Sequence, residues 1–340
     1  MTLRENFLAA LQYKNPEHVP YEIGVPWEYL KEQYTEEQLR PLREAADRVP
    51  KYVHTIMPGK AADWKPTVEL PEGYLESEWG ARGRIRLPYI TYSPLAEGWH
   101  LLDSYRFPDP YAKGRFDGLK ESANANRDKY VRAWAFSALW EHIWMVRGYE
   151  NSLTDIYTYP KEFAYLRDKI VEYQIGIMEQ IHEIGVDGIH FTDDWGTQRS
   201  LMIRPEDWRK LFKSAYARIF EAAGKNGTHL WFHSDGNIRD VIPDLIEIGV
   251  TVLNPIQPGP LNIDELVKMF GRQLRYSGGV DVQGVLPFGT PEDIEKVVRH
   301  WVDLSHRLGG GMFIAATNLI TPETPIPNIL AFMEACEKYC

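Results

Sequence analysis

Cysteine is nearly absent from this chain: of 340 residues only Cys336 and Cys340 carry a thiol, both at the extreme C-terminus. Two thiols there build neither a disulfide framework nor a four-ligand zinc site, and they are poorly placed for nucleophilic catalysis. Long hydrophobic runs are missing too. No stretch approaches the roughly 18 to 20 apolar residues that span a bilayer, and the opening MTLRENFLAALQYKNPEHVP has no apolar signal stretch with a small-residue cleavage site. These absences point to a soluble cytoplasmic protein with no membrane partner. The chain has no basic stripe and a formal net charge of −10, which argues against nucleic acid as a partner. No P-loop, helical HExxH or Ser-His-Asp elbow occurs, which argues against kinase, zincin and hydrolase chemistry. Gly278-Gly279 lacks the GxGxxG spacing of a dinucleotide site.

Aromatics are abundant, with 11 Trp, 19 Tyr and 13 Phe. Most are expected in the core, because such rings are large hydrophobes before they are ligand contacts. From residue 160 onward, helical patterns alternate with short β-rich runs, the signature of βα units on a parallel sheet. Residues 160–184 space Phe163, Leu166, Ile170, Tyr173, Ile177 and Ile181 three or four apart, and Gly185 ends the helix. Further helices are expected over Pro205–Ala223, Asn237–Ile248, Ile263–Phe270, Pro291–Leu308 and Pro325–Tyr339. Strands fall on DGIHFTDDW, THLWFH, Val250–Asn254, Leu274–Val280 and GMFIAAT. With VPYEIG, YVHTIM and YVRAWAFS from the N-terminal half, eight strands predict a single (β/α)8 TIM barrel over residues 1–340. Residues 60–127 read as an insertion over the barrel mouth, with a hairpin in ESEWGARGRIRLPYI turning at Gly-Ala-Arg-Gly.

In a parallel barrel the catalytic groups project from the C-terminal strand ends. Polar residues stand at five of these ends. After GIHF come Asp193, Asp194 and Trp195; adjacent carboxylates point to opposite sides, so one faces the cavity and the other caps the next segment or pairs with Arg199. After LWF come His233 and Asp235, on one side of the chain, followed by Gly236. Imidazole and carboxylate together suit either metal ligation or proton transfer, and equally a plain hydrogen-bonded pair. Asn254 with Gln257, Asp281 with Gln283, and Asn318 complete the set as substrate contacts or helix caps. Glu22, Trp27 and His54 follow early strands and are expected to reach the same cavity.

RENFLAAL, HVPYEIG, RGYENSLTDIYTYPKEF, GIHFTDDWGTQRSLMIRPEDW, HSDGNIRDVIPDLIEIGVTVLNPIQP, YSGGVDVQGVLPFGTPEDI and TPETPIPNI together resemble the uroporphyrinogen decarboxylase-like superfamily over nearly the whole chain. That superfamily includes the decarboxylase of haem biosynthesis and corrinoid-linked methyltransferases. The decarboxylase's arginine-rich loop is replaced here by Val25-Pro26-Trp27-Glu28-Tyr29-Leu30. The thiol methyltransferases bind zinc through a His-x-Cys pair and a further cysteine, where this chain has His233, Asp235 and Asn318. The resemblance therefore implies harder ligands for zinc, or none, and an oxygen-linked substrate in place of a thiol.

Within the superfamily the residues point to an O-demethylase, a methyltransferase passing the methyl of an aryl methyl ether to cobalamin on a separate corrinoid protein. No Asp-x-His-x-x-Gly cobalamin module occurs in this chain. Catalysis is expected from His233, Asp235 and Asp193 or Asp194, with the early aromatics lining a ring pocket. A decarboxylase of a carboxylated ring, with Arg147 or Arg199 as its cation, is the alternative; a non-catalytic binding barrel is a third. A homodimer is the default assembly.

Overall fold

A computed structural model of the chain describes residues 1–84 and 89–340. Its strands are β1 (Tyr21–Glu22), β2 (Val53–Ile56), β3 (Tyr74–Glu76), β4 (Arg82–Arg84), β5 (Tyr89–Tyr92), β6 (Tyr130–Ser137), β7 (Gly188–Thr192), β8 (His229–His233), β9 (Val252–Ile256), β10 (Arg275–Val280) and β11 (Met312–Ala316). Eight of them form one curled parallel sheet, ordered β1-β11-β10-β9-β8-β7-β6-β2, with helices between successive strands: an α/β sheet of the TIM-barrel kind. All eight expected strands are present. Strands β1 and β2 are its two margins, and Arg132 of β6 reaches across to Glu22 of β1 at 2.9 Å.

Both faces of such a sheet are covered, so its strands read as hydrophobic runs. Val131, Ala133 and Ala135 of β6 are buried. Tyr130 and Arg132 on the alternate face meet Trp231 of β8, with Tyr130 also against Phe7 and Arg132 over the Trp231 ring. Phe7 comes from the first helix, Leu3–Leu11, and contacts Tyr130 at 4.6 Å and Phe313 at 4.8 Å. Gly311, just before β11, donates its N–H to Ala10 of the same helix, so this helix stoppers the N-terminal end of the barrel.

The long helix spans Pro160–Ile184 and ends on Gly185 at φ +77°, as its spacing predicts. Ile263–Phe270 and Pro291–Leu308 also match, each capped by a side chain at its N-terminus, Asn262 and Thr290. Two helices are less regular than expected: Pro205–Ala223 carries a π-turn at Arg209–Lys213, and the Asn237–Ile248 segment is a 3₁₀ turn at Arg239–Val241 followed by Ile242–Glu247. The strand expected over Val250–Asn254 is displaced to Val252–Ile256.

The hairpin in ESEWGARGRIRLPYI is corrected. Its turn is Ser77–Ala81, because Gly80 takes the positive φ of +74°, and Arg82-Gly83 already belong to β4. β5 extends it to three antiparallel strands; the residues between β4 and β5 lie outside the described residues. This segment is anchored by a buried ion pair, Arg115–Glu78 at 2.6 Å, and by Trp79 against Tyr173 and His142 on the helices that follow β6. Among the described residues no helix is long and apolar enough to cross a membrane.

Candidate active site

Asp193 and Asp194 leave β7 on opposite sides. Asp193 is fully buried, and its carboxylate accepts the N–H groups of Leu139, Trp140 and Glu141 at 2.6–3.0 Å and the Tyr216 hydroxyl at 2.6 Å. It caps the helix Trp140–Arg147, and of the two aspartates it is the one the structure turns away from His233 and Asp235, onto backbone N–H groups and Tyr216. Trp195 is likewise buried, its indole N–H on Tyr216 and its ring stacked on Trp140 at 4.6 Å, so the structure packs it in the core beside the cluster. Arg199 pairs with neither carboxylate among the described residues.

Asp194 faces the mouth. Its Oδ1 accepts the N–H of Asp235 and lies 3.9 Å from Nε2 of His233, whose same nitrogen is 3.8 Å from Asp235. One ligand atom from each of Asp194, His233 and Asp235 falls within 4.8 Å of the others. His233 Nδ1 is 2.7 Å from Oδ1 of Asn254, whose amide donates to Ser277. An amide oxygen accepts, so Nδ1 carries a proton and Nε2 is the nitrogen turned to the two carboxylates. Asn318 donates to the outer oxygen of Asp235 at 2.8 Å. Gln257 accepts the N–H of Gly236 and reaches Gln283 at 3.4 Å. Gly236 sits at φ +77°, and a Cβ there would lie 2.6 Å from the backbone of Gly196, so glycine lets the β7 and β8 loops press together.

Asp281 folds back to accept the N–H of Gln283, closing a local turn. Glu22 is committed to Arg132 inside the barrel. The structure does not bring His54 and Trp27 to the cluster. His54 aligns with Val131, so alternation sends it outward, where its Nε2 meets Ser122. Trp27 opens the helix Trp27–Gln33 and lies under Arg43 of the next helix, 4.8 Å from its guanidinium.

Two residues that escaped notice in the sequence stand beside the cluster. Glu141 accepts from Ser137, Thr192 and the N–H of Asp194. His190 is buried between Trp134, at 4.5 Å, and Trp231, and its ring centre is 6.2 Å from that of His233. Period-two alignment with Trp231 in the neighbouring strand is the signal for His190; Glu141, placed by a helix start, had none.

Burial pushes the carboxyl of Asp194 up; the charge of Asp235 adds to this and His233 opposes it. Glu141 is raised by burial and then by Asp194. Burial, with Arg132 and His233 adding to it, holds His190 well below the usual histidine range. The site thus sets an imidazole nitrogen beside two carboxyl groups, one of them pushed up by burial, with their ligand atoms within 4.8 Å of one another. One nitrogen and two oxygens suit a zinc ion.

A cavity of ≈ 1230 Å³ lies elsewhere, within the segment carrying β3–β5, and none of these strand-end residues lines it. Arg147 is buried on Asp155 and the carbonyls of Leu95 and Ala96.

A solved methyltransferase from Methanosarcina mazei shares this fold, at TM-score 0.70 and 17% identity over 100% of this chain and 99% of its own. A sugar phosphate isomerase/epimerase from Parabacteroides distasonis is more distant, at TM-score 0.43 and 9% identity over 94% and 96% of the two chains. D-psicose 3-epimerase from Clostridium cellulolyticum is similarly distant, at TM-score 0.41 and 10% identity over 70% and 85%. No curated protein sequence matches the chain. A family model, uroporphyrinogen decarboxylase, matches residues 86–339, most of the sequence. The chain belongs to the uroporphyrinogen decarboxylase family.

Proposed function

We propose that this chain is a methyltransferase that moves a methyl group from an oxygen-linked donor, an aryl methyl ether, to the corrinoid cobalt of a separate protein. The observation that carries the proposal is the convergence of Asp194, His233 and Asp235 within 4.8 Å, with nitrogen and oxygen donors and no sulfur. Full-length likeness of fold to a methyltransferase supports the reaction type. Thiol activation favours soft thiolate ligands, whereas these hard donors suit an oxygen substrate.

The chemical difficulty is the leaving group. A phenol has a pKa of about 10, so the departing phenolate is basic and needs an electrophile at its oxygen. Asn254 holds the His233 ring so that Nε2 faces that position, and Asn318 fixes Asp235 beside it. When bound by these three groups, zinc supplies Lewis-acid polarisation of the donor oxygen. Without it, Asp194, whose carboxyl burial pushes upward, would be the acid that gives that oxygen its proton. Either device contributes about 10²–10⁴-fold.

The test is methyl transfer from a panel of methoxybenzenes to cob(I)alamin, followed by the methylcobalamin spectrum, with elemental analysis of the same protein. Product that forms with the wild type and vanishes in His233→Ala supports the reading. No transfer from any oxygen donor, together with carbon dioxide release from a carboxylated ring, replaces it by the decarboxylase.

A further inference from the structure

Strand β6 contains one side chain that does not behave like core. Tyr130 to Ser137 are all buried or half-buried except Phe136, which is 50% exposed. Its φ is +54°, in the left-handed region that a bulky L-residue adopts only when its surroundings impose it. The cause is local. Trp134 pairs with His190, but the next pairing is Phe136 with Phe191, so β6 carries one extra residue here. Such a bulge re-aims a side chain next to a site.

Ring contacts show where it is aimed. Phe136 meets Trp134 edge-on, with centroids 6.5 Å apart at 70°. Trp134 lies 4.5 Å from His190, and His190 lies 6.2 Å from His233. A row of rings thus leads from half-uncovered Phe136 to the catalytic cluster. His190 is 4% exposed, and neither ring nitrogen has a partner among the described residues. A phenylalanine serving only to fill space would be covered, and its strand would need no bulge.

We infer that Phe136 is the platform on which the aryl ring of the substrate packs, with Trp134 behind it, and that it sets the preference for aromatic over aliphatic methyl ethers. The inference rests on the aryl ether reading above and assigns the ring-binding side of that site. Aromatic rings gain from edge-to-face and offset contacts beyond their buried area, whereas a saturated ring of equal size gains only the area.

The experiment is calorimetric titration of the isolated chain with methoxybenzene and with methoxycyclohexane, for wild type, Phe136→Gly, Phe136→Leu and Phe136→Tyr. Wild type should bind the aromatic ether more tightly. Phe136→Gly and Phe136→Leu should weaken methoxybenzene about tenfold and leave methoxycyclohexane within about twofold, while Phe136→Tyr restores the preference. Phe136→Gly should also hold or raise Tm, since glycine takes φ +54° without strain. Equal binding of the two ethers by wild type, unchanged methoxybenzene binding in both Phe136→Gly and Phe136→Leu, or equal loss of both ethers would overturn the platform. If the aromatic preference depends on Phe136 and no methyl reaches cob(I)alamin, the platform stands and the methyltransferase reading falls.

Discussion

Asn254 and His233 stand on adjacent strands, and the amide oxygen of the first lies 2.7 Å from Nδ1 of the second, so β9 chooses the tautomer that β8 presents. Partners of this kind orient the working nitrogen, and their loss usually costs 10- to 100-fold in metal affinity or activity. Asn254→Ala should therefore lower kcat/KM for methyl transfer by about 10- to 100-fold with the thermal melt little changed. Activity within twofold of wild type would show that the ring is held by other means.

The two adjacent aspartates should separate stability from chemistry. Asp193→Ala strips acceptors from three buried N–H groups and the Tyr216 hydroxyl, at about 1–3 kcal/mol for each group left unsatisfied. Its denaturation midpoint should fall steeply. Asp194→Asn should keep the midpoint and lose about 10²-fold or more in turnover. Chemical denaturation and steady-state rates on the same two variants decide the matter, and the reverse pattern would reassign them.

Acid should destabilise the fold through buried histidine. His142 is packed beside Trp79 and burial pushes it down from 6.5 to about 4, with the Ser137 backbone opposing. The unfolded chain binds the proton first, so this stability is complete above pH 6.5 and is lost as pH falls towards 4. The slope is about 1.4 kcal/mol per pH unit for one proton. Buried His190 and half-buried His229 act in the same direction. Unfolding free energies measured across this window should show a slope shallower by about one proton in His142→Gln; an unchanged slope would remove His142 from the effect.

The Glu22–Arg132 pair spans the barrel interior with unequal exposure, 38% for the glutamate side chain and 8% for the arginine. Removing Glu22 strands a buried cation, whereas removing Arg132 leaves a carboxylate that water can reach. Glu22→Leu should cost about 3–5 kcal/mol and Arg132→Met less. Melting both variants and the double substitution measures the coupling, and an equal cost for the two single changes would contradict the asymmetry.

Barrel class and most strand positions were legible in the sequence because periodicity and glycine or proline punctuation are local signals. YVRAWAFS and Pro291–Leu308 match their elements end to end. The same period of two also fixes that Asp193 and Asp194 diverge. It does not say which diverges inward, since that depends on how the sheet curls and on where the Trp140–Arg147 helix begins. His54 and Glu22 illustrate the point: both lie within early strands, yet pairing with β6 turns His54 out while the interior Arg132 draws Glu22 in.

By itself the sequence determined the alternation of strands and helices, the family, and a set of polar strand ends that includes His233 and Asp235. Only the tertiary structure decided that Asp194 joins them, that Asp193 and Trp195 belong to the core, that Glu141 stands alongside, and that β6 bulges at Phe136. Local propensity is written residue by residue, whereas these placements arise from contacts between segments tens of residues apart.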